Sequence, residues 1–188
     1  MAKFATQAVQ NQPDVLRVTE DVPDTIRPLG SLEHLFWLID QRGPIHFAVT
    51  AQVSGRTSPR DWRQALDMVQ ERHPFLSVRV ERSPGSIPQF RQVDAIPIPL
   101  RIVEDDPTTR WEAEVGEELA TPFDPNGAPL VRAVFIQGID DAAFILVAYR
   151  AIADGLSVAY AIRDTLSALA GGTLERCPCR PLRTNAAR

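Results

Sequence analysis

The stretch FILVAYRAIADG, from Phe144 to Gly155, decides the fold class of this sequence. Its first five residues, up to Ala148, are all apolar, which is typical of a strand that is covered on both faces. The pair Asp154-Gly155 then favours a tight turn, because both residue types tolerate positive φ angles. Residues 156–170 have the pattern of a helix. The stretch therefore predicts a strand, a turn and a helix, a frame that holds reactive side chains in fixed positions.

The same alternation of elements continues on both sides of this stretch. The apolar spacing predicts helices over 31–42, 59–72, 107–120 and 156–170, and strands over 47–53, 75–80, 89–93, 100–103, 130–136 and from about 142. Ser58-Pro59 and Asp106-Pro107 mark two helix starts, since a capping side chain followed by proline suits the first helical turn. Together these elements predict an α/β (α+β) two-layer sandwich, with a mixed, largely antiparallel sheet covered by helices.

Composition and charge narrow the classes of function. The chain has 188 residues, of which 44% are hydrophobic and 23% charged, and this suits one soluble domain with its own core. A net charge of -4 argues against nucleic acid as a partner, because phosphate binding needs basic patches. No apolar run reaches the roughly 18 residues of a membrane span, and the N-terminus lacks a signal-peptide core. We therefore expect a cytoplasmic protein without membrane or nucleic-acid partners.

The two ends of the chain have little periodicity. Residues 1–28 are polar and contain three prolines, so we expect a loose N-terminal segment with at most a short strand near 15–18. Residues 173–188 are predicted to form a flexible tail, which leaves 29–172 as the folded unit. Cys177 and Cys179 lie in this tail. Their close spacing disfavours a disulfide and no further metal ligands are nearby, so we interpret them as reduced thiols.

The segment Tyr149–Gly155 resembles the H-H-x-x-x-D-G signature of the condensation-domain and chloramphenicol-acetyltransferase-like acyltransferases. The spacing to Asp154-Gly155 is intact, but Tyr149 and Arg150 stand at the two histidine positions. Three other stretches are similar to this superfamily, in the same order: PLGSLEHLFWLIDQRGPIHFAV, ALDMVQERHPFLSVRV and PFDPNGAPLVRAVF. The resemblance runs over about 27–172 and covers the N-terminal half of a condensation domain.

The resemblance implies an acyl-transfer activity in the family and the loss of its general base in this chain. In the family, the second histidine takes a proton from an amine or alcohol, which attacks a thioester carried by coenzyme A or phosphopantetheine. Arg150 holds that position here, and a guanidinium stays protonated near neutrality and cannot act as a general base. We therefore expect a catalytically impaired half-domain that acts as a binding or structural module, in which Asp154 and Gly155 keep structural roles.

The resemblance also implies an ion pair. The family pairs an arginine in this part of the fold with the signature aspartate, which corresponds to a contact between Arg132 and Asp154. A charge inside an apolar strand needs such a partner. The alternative is an edge strand with Arg132 in water. Four acids in the third predicted helix are interpreted differently, as a solvated face: Glu112, Glu114, Glu117 and Glu118.

Two other functions stay open. One is an active thioester-dependent acyltransferase that forms amides or esters, with a site completed by oligomerisation or by a partner. Tyr149 is a poor base because a phenol has an ordinary pKa near 10, so the base would be His34, His46 or His73. The histidines His34 and His73 also suit a surface position and a helix end, respectively. The other function is a small domain that binds a partner protein through a sheet edge or an open cleft face.

These hypotheses imply particular ligands and partners. We expect no bound cofactor and no metal, and a coenzyme A or phosphopantetheine thioester is the implied substrate. Candidate partners are a second copy of the chain, a separate C-terminal half-domain and an acyl carrier protein, as in nonribosomal peptide or polyketide biosynthesis. Arg150 is also a candidate for binding an anion, such as a phosphate or a carboxylate.

Overall fold

The computed structural model describes residues 25–93, 96–104 and 110–175. In these ranges the chain forms seven strands and four α-helices. Their order is β1 (Thr25–Pro28), α1 (Ser31–Asp40), β2 (His46–Ser54), α2 (Pro59–Arg72), β3 (Val78–Glu81), β4 (Gln89–Gln92), β5 (Leu100–Glu104), α3 (Trp111–Ala120), β6 (Val131–Gln137), β7 (Asp141–Tyr149) and α4 (Gly155–Leu169). None of the helices in this part of the chain is long and apolar enough to cross a membrane.

The strands form two sheets. The larger sheet has the order β2-β7-β6-β5, in which β5 and β6 run parallel and the other pairs are antiparallel. The smaller sheet has the order β1-β4-β3 and is antiparallel. Strand β7 is central in the larger sheet, and it pairs with β2 from His46 opposite Tyr149 to Ser54 opposite Asp141. The predicted mixed, largely antiparallel sheet is confirmed, and the small second sheet adds to it.

Helices cover both faces of the larger sheet, which explains why β7 is apolar. On one face α2 and α4 pack together, and Trp62 of α2 stacks on Phe144 with a ring-centroid distance of 4.4 Å. On the other face Ile145 belongs to an apolar cluster against which Trp111 of α3 packs. Because neighbouring residues of a strand point to opposite faces, every residue from Phe144 to Tyr149 is buried.

Most predicted elements are confirmed, and two differ for local reasons. The strand predicted over 75–80 begins only at Val78, because Pro74–Ser77 forms a short 3-10 helix that buries Leu76. The N-terminal segment predicted to be loose ends in strand β1, where Arg27 forms an ion pair of 2.6 Å with Glu33. The predicted strand near 15–18, the helix start at Asp106-Pro107 and the two cysteines lie outside the described residues.

Candidate functional site

The last residue of β7, Tyr149, is fully buried and points away from solvent. Its side chain packs near Phe123, at a ring-centroid distance of 6.3 Å. The Tyr149 hydroxyl is buried, and the charged group near it is the Asp40 carboxylate. Burial and the nearby Asp40 carboxylate both raise the pKa of Tyr149. The phenol therefore keeps its proton near neutrality and cannot replace a catalytic histidine.

Arg150, at the second histidine position, is exposed and held over aromatic rings. Its guanidinium carbon lies 5.4 Å from the centre of the Phe36 ring and 5.1 Å from that of Phe47. Its backbone N–H donates to the Ile45 carbonyl at 3.2 Å, which fixes the start of the turn after β7. A guanidinium has five donors and no acceptor. The position thus presents a fixed positive charge where the signature has a proton acceptor.

Asp154 and Gly155 begin α4 and do not form the predicted positive-φ turn. Asp154 is the N-cap, with an extended backbone (φ -109°), and its carboxylate accepts from the Ser157 N–H and hydroxyl at 2.7 Å each. These two hydrogen bonds lower the pKa of Asp154. Gly155 has no positive φ, and an added Cβ would meet nothing within 4 Å. Asp154 therefore has a local capping role, and no close contact or backbone strain at position 155 requires a glycine.

Arg132 has a different partner from the expected Asp154. Its guanidinium binds the Glu118 carboxylate and the carbonyls of Glu118 and Thr121, the latter at 2.6 Å. It also lies 4.2 Å from the centre of the Phe123 ring. No Arg132–Asp154 pair forms, although both residues lie in the described ranges. This part of the prediction needs correction, and the alternative of an edge strand in water also fails because β6 lies between β5 and β7.

The reason for the different partner is strand alternation. Val131 and Ala133, on either side of Arg132, pack in the cluster that α2 and α4 cover. Arg132 therefore points to the opposite face, beneath α3. Asp154 begins α4, on the other side of the sheet. An aspartate there and an arginine beneath α3 are separated by the sheet itself.

The acidic side of α3 is also partly buried, which corrects its interpretation as a solvated face. Glu118 is only 8% exposed. It binds Arg132 and, at 3.0 Å, Arg101 of β5, while Glu114 contacts Arg101 at 2.6 Å. A signal for this was present in the sequence. Glu118 stands three residues after Val115 and seven after Trp111, so it shares their buried face.

The three histidines occupy separate places. His34 lies beside Trp37 of α1, with ring centroids 5.8 Å apart. In His46, Nε2 lies 3.1 Å from the Glu118 carbonyl, and Nδ1 is buried without a partner among the described residues. His73 lies at the end of α2. Of the three, His73 lines the cavity that borders the turn after β7.

His73 is tied to Asp164, a residue that the sequence reasoning missed. Its Nε2 atom lies 2.8 Å from the Asp164 carboxylate, which is 4% exposed and also accepts from Arg72 at 2.8 Å. Burial alone would raise the pKa of Asp164, but hydrogen bonds from Arg163 and His73 and the charges of Arg163 and Arg72 lower it. The available signal was spacing, because Asp164 follows the buried Ala161 by three residues on α4.

A cavity of about 300 Å³ lies between this network and the signature turn. Ile152 and Ala153 of the turn and Ser157 of α4 form one side, and His73 forms part of another. Arg150 and Asp154 do not line it. In the described ranges, no group of three or more side chains suitable for metal binding occurs.

Comparisons with known proteins agree with this architecture. No protein-family model matches the chain. A plipastatin synthase subunit of Bacillus subtilis (strain 168) is 27% identical over an alignment of 179 positions, and this match covers 86% of this chain and 7% of that protein. Malpinin synthetase of Mortierella alpina is 26% identical over an alignment of 202 positions, and this match covers 97% of this chain and 2% of that protein. The chain thus spans a small part of the curated relatives it matches.

The solved structures identify the fold. The first condensation domain of the calcium-dependent antibiotic synthetase matches with a TM-score of 0.71 and 19% identity, over 81% of this chain and 40% of that one. The starter condensation domain of rhizomide synthetase matches with a TM-score of 0.70 and 15% identity, over 80% and 40%. The class of protein is thereby defined as one with the chloramphenicol-acetyltransferase-like condensation-domain fold. This chain corresponds to the N-terminal lobe of that fold, which confirms the resemblance seen in the sequence.

Proposed function

We propose that this chain is a condensation-type lobe that has lost the proton acceptor at the signature position and acts as a binding module. The observation that carries the proposal is Arg150. The frame around it is retained, because β7, the turn and the capped start of α4 follow in the order expected of the signature. The residue at the reacting position, however, is a permanent cation without an acceptor atom. Relative to the signature, the side chain at this position differs, whereas the strand, the turn and the helix start around it are retained.

The same proposal includes a second lobe as partner. The solved condensation domains continue well beyond the matched region, since this chain covers 40% of each. Four apolar side chains of α1 are between 43% and 61% exposed: Leu32, Leu35, Leu38 and Ile39. A contiguous exposed apolar surface of this kind marks an interaction site in a folded protein. A second copy of the chain and a separate C-terminal lobe are the two occupants that fit.

The alternative proposal is an acyltransferase that uses a thioester of coenzyme A or of phosphopantetheine. The phosphopantetheine thioester would be delivered by an acyl carrier protein. One observation favours it, namely the position of His73 beside the signature turn. Under this alternative the rate does not depend on Arg150. The two proposals therefore differ in what happens when Arg150 is replaced.

The test compares thiol release from acyl-coenzyme A, with an amine acceptor, in three forms of the full chain. We expect the natural chain and Arg150→Ala to match the uncatalysed background. The double change Tyr149→His and Arg150→His restores the signature and is expected to raise the rate, since a general base contributes on the order of 10²–10⁴. If the natural chain releases thiol above the background and Arg150→Ala leaves that rate unchanged, the proposed loss of activity is contradicted and the alternative is supported.

The partner is tested by light scattering. We expect an assembly larger than one chain, alone or after mixing with a separately produced C-terminal lobe, and Leu35→Glu should dissociate it. Ile139→Glu is the matched control, because Ile139 is 83% exposed in the hairpin between β6 and β7 and lies outside α1. An assembly that survives Leu35→Glu, or none with either partner, contradicts this part of the proposal.

A further inference from the structure

The guanidinium of Arg150 lies against two aromatic rings that come from different elements of the fold. Phe36 belongs to α1 and Phe47 to β2, and the guanidinium carbon lies 5.4 Å and 5.1 Å, respectively, from the centres of their rings. The backbone N–H of Arg150 donates to the Ile45 carbonyl at 3.2 Å. The positive charge therefore has a defined position, although the side chain is exposed.

Arg27 shows how an arginine in such surroundings uses its hydrogen-bond donors. Its guanidinium carbon lies 5.0 Å from the centre of the Phe75 ring and 5.1 Å from that of the Phe90 ring. At the same time its Nη1 and Nη2 atoms donate to the two carboxylate oxygens of Glu33, each at 2.6 Å. The contact with a ring face does not use the N–H fork, which stays available to a carboxylate. In this protein, an arginine beside two phenylalanine rings thus binds a carboxylate through both of its terminal nitrogens.

Arg150 has the same aromatic support, but its N–H donors are unused among the described residues, where no hydrogen bond or ion pair engages the guanidinium. Asp154 does not supply the missing carboxylate. The hydrogen bonds from Ser157 and, to a smaller extent, the charge of Arg150 lower the pKa of Asp154. Exposure alone does not explain an unpaired arginine, because Arg56 is 81% exposed and still binds Asp140 at 2.9 Å. Arg150 can therefore bind an anion that another molecule supplies.

We propose that Arg150 binds the carboxylate of a small organic acid through its N–H fork, as Arg27 binds Glu33. The site rests on the function proposed above, since a cation is present there only because Arg150 replaces the proton acceptor of the signature. A carboxylate carries one negative charge, which matches one guanidinium. A phosphate monoester carries about -1.5 to -2 near neutral pH, and the Asp154 carboxylate, which lies within reach of the Arg150 charge, would repel it more strongly.

The two rings beside Arg150 favour an acid with an aromatic body. Phe36 and Phe47 are both half-buried, so each keeps part of its surface accessible near the guanidinium. Aromatic groups attract one another in stacked or edge-to-face arrangements. An aromatic acid therefore gains from the rings as well as from the charge, whereas acetate gains from the charge alone. We expect affinities in the millimolar range, because an exposed ion pair contributes little free energy.

The test uses the full chain, labelled with nitrogen-15, and follows its backbone amide and arginine Nε–H signals by NMR during titration with benzoate. Benzamide and protonated benzamidine are matched probes, which have the same ring and a planar head group but no charge or a positive charge. We expect saturable shifts at Arg150 and Phe47, and tighter binding of benzoate than of either probe, of acetate or of inorganic phosphate. Saturable shifts that are absent, or confined to other parts of the chain, overturn the proposal. Equal or tighter binding of any of the other four probes does so too.

Variants show whether the guanidinium of Arg150 carries the binding. Arg150→Gln should weaken benzoate binding about tenfold, the effect of a charge-assisted hydrogen bond. Arg150→Lys keeps the charge but loses the fork, and its affinity should lie between the two. Arg56→Gln is the matched control, because it removes another exposed arginine, one that is paired with Asp140, and should leave binding unchanged. Benzoate binding that Arg150→Gln leaves unaffected, or that Arg56→Gln weakens equally, overturns the proposal.

This outcome is distinct from that of the thiol-release assay. If benzoate does not bind, the anion site is wrong, and the loss of the proton acceptor is unaffected. If the natural chain and Arg150→Ala release thiol at the same rate above background, the proposed loss of activity is wrong, whereas benzoate binding that depends on Arg150 still supports the anion site.

Discussion

Arg132 and Arg150 stand near the same end of the larger sheet, and their surroundings are opposite. The Arg132 side chain is 15% exposed and is bound by a buried carboxylate and two carbonyls beneath α3. Arg150 is exposed, and its guanidinium lies over the faces of two aromatic rings. A buried charge that loses its partner is costly, whereas an exposed one keeps its water. Burial therefore makes Arg132 a structural residue and leaves Arg150 available to other molecules.

The largest loss of stability is expected when the buried ion pair of Arg132 and Glu118 is removed. Glu118→Ala should lower the free energy of unfolding by about 3–5 kcal/mol, because it leaves the buried Arg132 guanidinium without a carboxylate. Arg132→Ala should cost less than this, because Arg101 still pairs with Glu118. Urea denaturation measures this, and the double variant should lose much less than the sum. Arg150→Ala is the matched control on the exposed side and should change the stability by at most about 1 kcal/mol. Equal losses at positions 132 and 150 would refute the comparison.

A second, smaller effect is expected at the other buried carboxylate. Asp164→Asn removes the charge that Arg72 and His73 share between α2 and α4, and it should cost about 1.5–3 kcal/mol. The pKa of Asp164 is lowered in the folded chain. Ionised Asp164 therefore stabilises the folded chain at pH values above the ordinary pKa of an aspartate, near 4. This stabilisation is lost as the pH falls through the lower pKa of Asp164 in the folded chain. Acid unfolding of Asp164→Asn should consequently show a weaker pH dependence below about pH 4.

A third and smaller loss of stability is expected at Asp154, which caps a helix in an exposed position, whereas Asp164 is buried. Asp154→Ala removes an exposed helix cap and should lower the melting temperature by about 2–4 °C. Asp154→Ser, which keeps a capping oxygen, should restore most of it. Combined with Arg132→Ala, the loss from Asp154→Ala should simply add, because the two side chains have no shared partner. Strong non-additivity would instead support the Arg132–Asp154 ion pair that the sequence resemblance implied.

The smallest effect is expected at Gly155. Gly155→Ala should be neutral or should stabilise by up to about 1 kcal/mol, because the position is helical and an added Cβ meets nothing within 4 Å. Thermal melting followed by circular dichroism measures this change. A clear destabilisation would mean that the glycine of the signature has a structural role that its surroundings do not explain.

Local patterns were sufficient to predict most of the elements. The capped start of α2 is confirmed, with the Ser58 side chain accepting from the Asp61 N–H, and the apolar run of β7 is covered on both faces as expected. Arg150 stands at the second histidine position of the signature, and it lies directly after β7, at the start of the turn. The predicted Arg132–Asp154 pair is wrong, because Arg132 points to the face of β6 that lies beneath α3, whereas Asp154 begins α4 on the other face of the sheet.

Residues close together in the chain are sufficient to predict the strand, the turn and the helix around the signature, since capping, strand burial and helical spacing are local properties. Which charged side chains pair with each other, by contrast, depends on how the helices pack on the sheet. The Glu118 carboxylate reaches Arg132 because α3 lies over that face of the sheet. His73 and Asp164 are 91 positions apart and meet because α2 packs on α4. Contacts between distant residues follow from how layers stack, and no local pattern contains that information.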